Sequence, residues 1–172
     1  LAQTERLQRL VTQLLDLSRL ESGGTLLHRL PFPVADLLED VADESSLHSP
    51  DIEFRVDVDP PDLAVDGDPE RLHQVFANLT DNAARFTPEG GEVVLVARRR
   101  GPEVVLEVLD DGPGIPPEAA TRVFERFYRT DEARSTDKGG SGLGLAIARW
   151  IVDPHGGRIR AEQRRPRGCR MV

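Results

Sequence analysis

The segment GGSGLGLAIAR, residues 139–149, has the residue types of an anion-binding loop. Four glycines within six positions lead directly into an apolar stretch of helical character. The first backbone N–H groups of a helix have no partner inside the helix and lie at the positive end of its dipole. Phosphate is the usual anion at such a position. The segment therefore predicts a phosphate site, and a plain tight connection is the alternative.

A second candidate group lies on one face of a helix predicted for residues 68–86. Asn78, Asn82 and Arg85 follow one another at spacings of four and three residues, which brings them onto a common face. Asparagine is a poor helix former, so two of them beside an arginine indicate a site. The amide oxygen of Asn82 suits Mg²⁺ that shares its ligands with phosphate and water. A solvated helix edge is the alternative.

A third candidate is the sequence DDGPGIP, residues 110–116, directly after a predicted strand. Two glycines and two prolines within five residues form a rigid turn behind Asp110. A carboxylate there can accept a hydrogen bond from an exocyclic amino group such as that of adenine, whereas guanine presents a carbonyl oxygen at that point. An Asp-Gly turn without any ligand is equally compatible with these residues.

Predicted helices and strands that would position the three candidate groups are interspersed along the chain. Helices are predicted for residues 33–45, for residues 68–86 with Asp68 as cap and Pro69 at the first position, around residues 117–127, and from the glycine segment to Val152. Strands are predicted for residues 25–30, 52–58, 63–65, 92–99, 103–109, 158–163 and 169–172. This pattern predicts an α+β fold, a two-layer sandwich in which three helices cover a mixed, mostly antiparallel sheet.

Residues 1–22 have the pattern of one further helix ahead of this unit. Leucines recur at spacings of three and four, and Gly23-Gly24 is a stop signal. The seam consists of Leu7, Leu10, Leu14 and Leu17, widened by Val11 and Leu15. Since one helix cannot bury such a stripe, we expect it to pair with another chain or to dock on the rest of the protein. The chain begins inside this pattern, so we expect it to be a piece of a longer protein.

The composition argues against several functional classes. A net charge of −8 disfavours a dedicated nucleic-acid binder. No stretch of the sequence approaches the roughly 20 apolar residues of a membrane span, so we expect no membrane contact by this segment and a cytoplasmic location. An anchor elsewhere in a longer protein stays open. The single cysteine, Cys169, excludes an internal disulfide and a cysteine-based zinc cluster.

In their order and spacing these motifs resemble those of the catalytic ATP-binding domain of bacterial two-component sensor histidine kinases, which has a Bergerat-type fold. The matching segments are NLTDNAARFTP (78–88), DDGPGIP (110–116), VFERFYR (123–129), GGSGLGLAIAR (139–149) and HGGRI (155–159). The resemblance covers most of residues 25–172. Residues 1–24 resemble the end of the dimerisation and phosphoacceptor helices that precede this domain, so the predicted boundary lies after residue 24.

The resemblance implies a role for each matching position. Asp110 would bind the adenine amino group in a pocket formed with Gly112, Gly114 and Ile115. Asn82 would be the Mg²⁺ ligand, and Asn78 and Arg85 would act next to the phosphates. The phosphates would be lined by Gly140, Ser141, Gly142, Leu143 and Gly144. Residues 115–140 would form a mobile lid over ATP, with Phe124 and Phe127 at its base.

The resemblance also implies a reaction and partners. The γ-phosphoryl group of Mg·ATP would pass to a histidine on the separate helical domain, and then to an aspartate of a response regulator. The full-length protein would be a homodimer. The chain's own histidines lack the expected sequence context, so we expect no acceptor here; they are His28, His48, His73 and His155.

Two other interpretations stay open. One is a related ATPase or kinase of the same fold, of gyrase, chaperone or anti-sigma serine-kinase type. It is disfavoured because Asn78 stands where the hydrolysing members carry a catalytic glutamate. The other is a non-catalytic interaction module that dimerises through the leucine seam.

Overall fold

The computed structural model describes Val11, Thr12, Leu15 and Ser18, residues 26–130 and residues 140–172. The main elements are β1 (Leu30–Pro33), α1 (Val34–His48), β2 (Glu53–Asp59), β3 (Ala64–Gly67), α2 (Pro69–Phe86), β4 (Glu92–Arg100), β5 (Glu103–Asp110), α3 (Gly144–Val152), β6 (Ala161–Gln163) and β7 (Cys169–Met171). Two single-turn 3₁₀ helices span Arg122–Phe124 and Asp153–His155. Among the residues described here, no helix is both long and apolar enough to cross a membrane.

Five strands form the main sheet in the order β2-β4-β5-β7-β6. Only β2 and β4 run parallel; every other neighbouring pair is antiparallel. The hairpin of β4 and β5 pairs along its whole length, so Val93 at the start of β4 lies opposite Asp110 at the end of β5. The strands β1 and β3 form a separate two-stranded sheet. The predicted mixed, mostly antiparallel sheet is confirmed.

The three helices and the main sheet share one hydrophobic core. In β4, Val93, Leu95 and Ala97 alternate toward this core and are fully buried. Each helix contributes an apolar stripe, and α2 packs against both α1 and α3. Burying a leucine or valine side chain contributes about 2 kcal/mol relative to exposure, so this core is the main source of stability. The predicted two-layer α+β sandwich is confirmed.

The start of α2 follows the prediction made from Asp68 and Pro69. The Asp68 carboxylate accepts a hydrogen bond from the Arg71 backbone N–H at 3.1 Å and one from the His28 N–H at 2.9 Å. The Asp68 N–H donates to His155 Nε2 at 3.0 Å, while His155 Nδ1 lies 2.7 Å from the Ile151 carbonyl oxygen. One capping residue therefore joins the segment before β1, the start of α2 and the end of α3.

Several elements differ from prediction; α1, for example, continues to His48, three residues beyond its predicted end. The strand predicted at residues 25–30 begins only at Leu30, because backbone partners are available only from β3, where Leu30 lies opposite Gly67. The helix predicted around residues 117–127 is reduced to one 3₁₀ turn, and Phe127 then takes a left-handed φ of 60°. The strand predicted from residue 158 begins at Ala161.

The leucine seam predicted for residues 1–22 lies largely outside the described residues. This holds for Leu7, Leu10, Leu14 and Leu17. Val11 and Leu15 are described, and both are helical with about half of their surface exposed. The predicted boundary after residue 24 also lies outside the described residues and stays a prediction.

Candidate functional site

Asn78 lies where α2 packs against the beginning of α3. A Cβ built on Gly144 would stand 3.6 Å from its Oδ1, an ordinary van der Waals contact. The Nδ2 of Asn78 is buried and is the only buried side-chain nitrogen or oxygen without a hydrogen-bond partner in the described part of the chain. Native proteins pair nearly all such groups with protein atoms, water or a ligand, so this donor is available to a water molecule or a ligand.

Arg85 lies two turns further along α2, beside the glycine segment. Its Nη2 forms an ion pair with Asp81 Oδ2 at 2.6 Å. A Cβ on Gly140 would come within 2.0 Å of its Nη1, so the guanidinium group lies directly against the Gly140 backbone. Asn82, which is half-buried, lies on α2 between Asn78 and Arg85. The structure thus brings two of the three predicted polar residues against the predicted phosphate loop, with Asn82 on the helix between them.

The glycine segment is fixed by its own backbone and by one anchor. Gly142 has a φ of +70° and lies so close to Phe127 that a Cβ would stand 2.9 Å from the Phe127 Cα atom. The Phe127 N–H donates to the Gly142 carbonyl oxygen at 2.9 Å. Ser141 Oγ accepts a hydrogen bond from the Leu143 N–H at 3.2 Å. The Leu143 side chain is fully buried in the core, and its backbone N–H is already engaged by Ser141 Oγ.

The predicted lid is only partly described, because residues 131–139 lie outside the described residues. Before them, Ala119, Val123 and Phe124 are buried in the core. Phe127 is 61% exposed, so only Phe124 of the two predicted aromatic anchors packs as expected. The first half of the segment is therefore attached to the domain, and lid motion stays a prediction.

Asp110 ends β5 and is 5% exposed. Its Oδ1 accepts hydrogen bonds from the Gly112 N–H at 2.8 Å and from the Cys169 N–H at 3.0 Å. Neither of these bonds uses Oδ2. Burial raises the pKa of Asp110, although the two N–H groups and the nearby Arg164 oppose the rise. Both oxygens of a carboxylate accept hydrogen bonds, so Oδ2 retains the capacity to receive a donor from a ligand.

Both ends of the candidate site lie against α2. Gly112, next to Asp110, lies against its C-terminal end, since a Cβ there would stand 3.1 Å from the Phe86 carbonyl oxygen. Asn78, eight residues earlier, faces α3. At 1.5 Å per residue these points are about 12 Å apart along the helix axis.

Several residues that hold the Asp110 loop from the C-terminal side were not predicted from the sequence. Gly114 and Ile115 contact Gln163, whose Oε1 accepts a hydrogen bond from the Ile115 N–H at 3.2 Å. Gly168 has a φ of +107°, and a Cβ there would lie 1.8 Å from the Asp110 carbonyl oxygen. Burial and the neighbouring Asp110 raise the pKa of the Cys169 thiol to about 12. Gly168, just before a predicted strand, was the only sequence signal for these contacts.

The side chains near the predicted phosphate loop suit a metal ion that is bound mainly through a phosphate ligand. In the described ranges, no group of three or more histidine, cysteine, aspartate or glutamate side chains could hold a metal ion. Asn82 offers one neutral amide oxygen, and the carboxylate of Asp81 is paired with Arg85. Mg²⁺ commonly keeps few protein ligands and takes the others from phosphate and water. The residues therefore fit a Mg²⁺ ion bound through a phosphate chain.

Comparison with known families places this arrangement in a class. Residues 67–172 match the family described as histidine kinase-, DNA gyrase B-, and HSP90-like ATPase, which is more than half of the chain. The chain therefore belongs to this family. Its curated relatives are sensor histidine kinases, which are ATP-dependent protein kinases of two-component signalling.

The chain is similar in sequence and in structure to individual histidine kinases. The signal transduction histidine-protein kinase/phosphatase MprB of Mycolicibacterium paratuberculosis is 43% identical over 169 residues, which are 98% of this chain and 31% of MprB. Full-length ShkA, solved in complex with AMPPNP, has a TM-score of 0.84 at 32% identity, over 96% of this chain and 35% of that one. Histidine kinase ThkA, solved with the response regulator protein TrrA, has a TM-score of 0.77 at 29% identity. This match covers 98% of this chain and 47% of ThkA. The chain spans about a third of the length of the curated relatives it matches.

Proposed function

We propose that residues 25–172 form the catalytic ATP-binding domain of a two-component sensor histidine kinase. The domain binds Mg·ATP and transfers the γ-phosphoryl group to a histidine on a separate helical domain. The observation that carries the proposal is the buried, unpaired Nδ2 of Asn78 beside the start of α3. A phosphate oxygen is the partner that would satisfy both this donor and the unpaired N–H groups of a helix start.

The base end of the proposed site is the Asp110 loop. With Oδ1 engaged by Gly112 and Cys169, Oδ2 accepts a hydrogen bond from the adenine amino group. Gly114 and Ile115 line the same pocket. Because guanine carries a carbonyl oxygen where adenine carries the amino group, a buried carboxylate there repels guanine.

The phosphate end lies between α2 and the glycine segment. Arg85 neutralises phosphate charge, and Asn78 donates to a phosphate oxygen. The backbone at Gly140, Gly142 and Gly144 supplies further N–H groups. Asn82 would hold Mg²⁺, which supplies charge neutralisation at the phosphates when it is bound. Phosphoryl transfer depends mainly on such positioning and charge neutralisation, which these residues can provide.

The acceptor histidine lies outside this domain in our proposal. His155 is engaged by the Asp68 N–H and lies close to the Ile151 carbonyl oxygen, so its ring helps to hold the corner between α2 and α3. His73 lies 3.5 Å from the Glu44 carboxylate, and His48 Nδ1 lies 2.7 Å from the Glu44 carbonyl oxygen. Each of these three rings makes a contact within the domain. We expect the chain to bind Mg·ATP without phosphorylating itself, because none of its histidines has the sequence context of an acceptor.

The further partners follow from the same assignment. ThkA has been solved with a response regulator protein, and that complex supports relay to an aspartate of such a protein. We propose a homodimeric full-length kinase that keeps this domain in the cytoplasm. The related hydrolysing ATPases are a weaker candidate because Asn78 replaces their catalytic glutamate.

Titration with a fluorescent ATP analogue tests nucleotide binding. We expect saturable binding that Mg²⁺ strengthens and that excess ATP reverses, and we expect Asp110→Ala to weaken it by about tenfold or more. The exposed Asp62→Ala serves as the matched control. Unchanged affinity in Asp110→Ala would show that the base-site assignment is wrong.

Mass spectrometry after incubation with Mg·ATP tests the proposed location of the acceptor. We expect no phosphohistidine on the isolated chain at alkaline pH, where that modification survives. Stoichiometric phosphate on His28, His48, His73 or His155 would contradict the proposal that the acceptor lies elsewhere.

A further inference from the structure

We propose that Arg164 is a positioning residue for base recognition, because it holds the loop of residues 110–115 in the shape in which Asp110 can meet adenine. Arg164 acts through the Asp110 main chain and the Asp111 carboxylate rather than by touching the nucleotide. This inference rests on the proposed ATP site. It adds Arg164, which lies more than fifty residues after Asp110 in the sequence, to the residues that shape the base pocket.

Arg164 follows β6 and begins the turn to β7. Its Nη1 donates to the Asp110 carbonyl oxygen at 3.2 Å and to Asp111 Oδ1 at 2.9 Å. The other oxygen of Asp111 accepts a hydrogen bond from the Glu92 N–H at 3.1 Å. One guanidinium group thus ties the end of β5 to the start of β4 through Asp111. With 28% of its side chain exposed, Arg164 is shielded enough for this charged contact to matter.

The rest of the same turn holds the loop at other points. Gln163 accepts the Ile115 N–H and lies against Gly114. Gly168 allows the turn to approach the Asp110 carbonyl oxygen, and the Arg164 N–H donates to the Gly168 carbonyl oxygen at 2.9 Å. The loop is therefore shaped by the turn between β6 and β7, and Arg164 is the charged member of that contact.

Loss of the guanidinium group would leave two acceptors without their donor. The Asp110 carbonyl oxygen would lose this contact with the turn between β6 and β7, and the Asp111 carboxylate would keep the hydrogen bond from the Glu92 N–H. Binding sites tolerate displacements of only about half an ångström before recognition weakens. A change at Arg164 should therefore reach the base pocket while leaving the phosphate end, held by α2 and α3, as it is.

The test compares base-dependent and base-independent ligands on the whole 172-residue chain. Displacement of a fluorescent ATP analogue by ATP, GTP and tripolyphosphate is measured for Arg164→Met, Arg164→Lys and the control Arg167→Met, which changes an exposed arginine of the same turn. We expect Arg164→Met to lose about tenfold in ATP affinity, the size expected for one charged hydrogen bond. Its tripolyphosphate affinity should stay unchanged. Arg164→Lys should recover part of the loss, and Arg167→Met should match the unmodified chain.

The outcomes separate this inference from the function on which it rests. If the unmodified chain shows no preference for ATP over GTP and tripolyphosphate, the proposed base site itself is wrong. If that preference exists and a folded Arg164→Met keeps it, or if all three ligands weaken equally, the positioning role is wrong. Should Arg164→Met fail to fold, Asp111→Asn and Arg164→Lys carry the test. In a double-mutant cycle of Arg164→Lys with Asp111→Asn, additive losses of ATP affinity would overturn the proposal.

Discussion

Asn78 and Gly144 face each other at the junction of α2 and α3, and the amide nitrogen of Asn78 is buried there without a partner. A donor held in this state lowers the stability of the unliganded domain. The same donor is already oriented for an anion, so a ligand gains its hydrogen bond without a conformational search. At Asn78, the feature that favours ligand binding therefore lowers the stability of the domain.

Asn78→Leu should separate these two effects. Leucine has a similar volume and removes the unsatisfied donor, so the midpoint of thermal unfolding without nucleotide should stay the same or rise. The affinity for a fluorescent ATP analogue should fall by about tenfold, the size of one hydrogen bond to a charged group. Differential scanning calorimetry and the titration measure the two quantities. A large loss of stability together with unchanged affinity would mean that Asn78 is a packing residue.

Asp110→Asn should raise stability at neutral pH while weakening ATP binding. Because burial raises the pKa of Asp110 in the folded state, the ionised carboxylate costs stability. The cost is absent below the unfolded pKa of about 3.9, grows as the pH rises toward the folded value, and is constant above it. Chemical denaturation at a series of pH values measures the effect. The increase in the free energy of unfolding that Asp110→Asn causes should be absent at low pH, grow with pH and then stay constant. An equal gain in the exposed control Asp62→Asn would argue against burial as the cause.

Asp68→Ala should destabilise the domain by about 1–2 kcal/mol, because it removes the cap of α2. Burial opposes ionisation, but the N–H groups of His28 and Arg71 hold the pKa of Asp68 below its ordinary value. The contribution is therefore present at neutral pH and is lost as the pH falls through the lowered folded value. Urea unfolding measures the difference. Asp66→Ala is the control, since its carboxylate is 62% exposed, and equal losses in the two variants would contradict the capping role.

Cys169 should resist thiol reagents in the native protein. Its pKa of about 12 leaves almost no thiolate at neutral or mildly alkaline pH, and its side chain is buried. In denaturant the same thiol should react as an ordinary cysteine with a pKa of about 8.5. Ellman's reagent measures both rates. A Ser46→Cys variant supplies an exposed thiol for comparison, and native labelling of Cys169 at the rate of that thiol would refute the buried state.

Local signals account for most of what the sequence predicted correctly. Asp68 followed by Pro69 marks the start of α2 because both residues act on their own neighbours. The β4–β5 hairpin is equally local, with Arg100 opposite Glu103. The strand at residue 30 was misjudged because its start depends on β3, more than thirty residues later.

In the candidate site, too, local features could be predicted from the sequence and long-range contacts could not. The residue types at Asn78, Arg85 and Asp110 predict a polar site from the sequence, and the structure brings Asn78 and Arg85 against the glycine segment. The support of Asp110 by Arg164 was invisible, because 54 residues separate the two and a surface arginine has no distinctive local pattern. The unpaired state of Asn78 likewise results from packing, which no spacing rule describes.

The order of the strands in the main sheet leaves β2 and β6 at its edges. Exposed edges are templates for pairing with other chains, and proteins protect them with charge or by keeping the strands short. Along β2 every second side chain is exposed and charged: Glu53, Arg55, Asp57 and Asp59. At the other edge β6 has only three residues. The sheet is thereby protected at both ends against edge-to-edge aggregation, which favours a domain that stays monodisperse at high concentration.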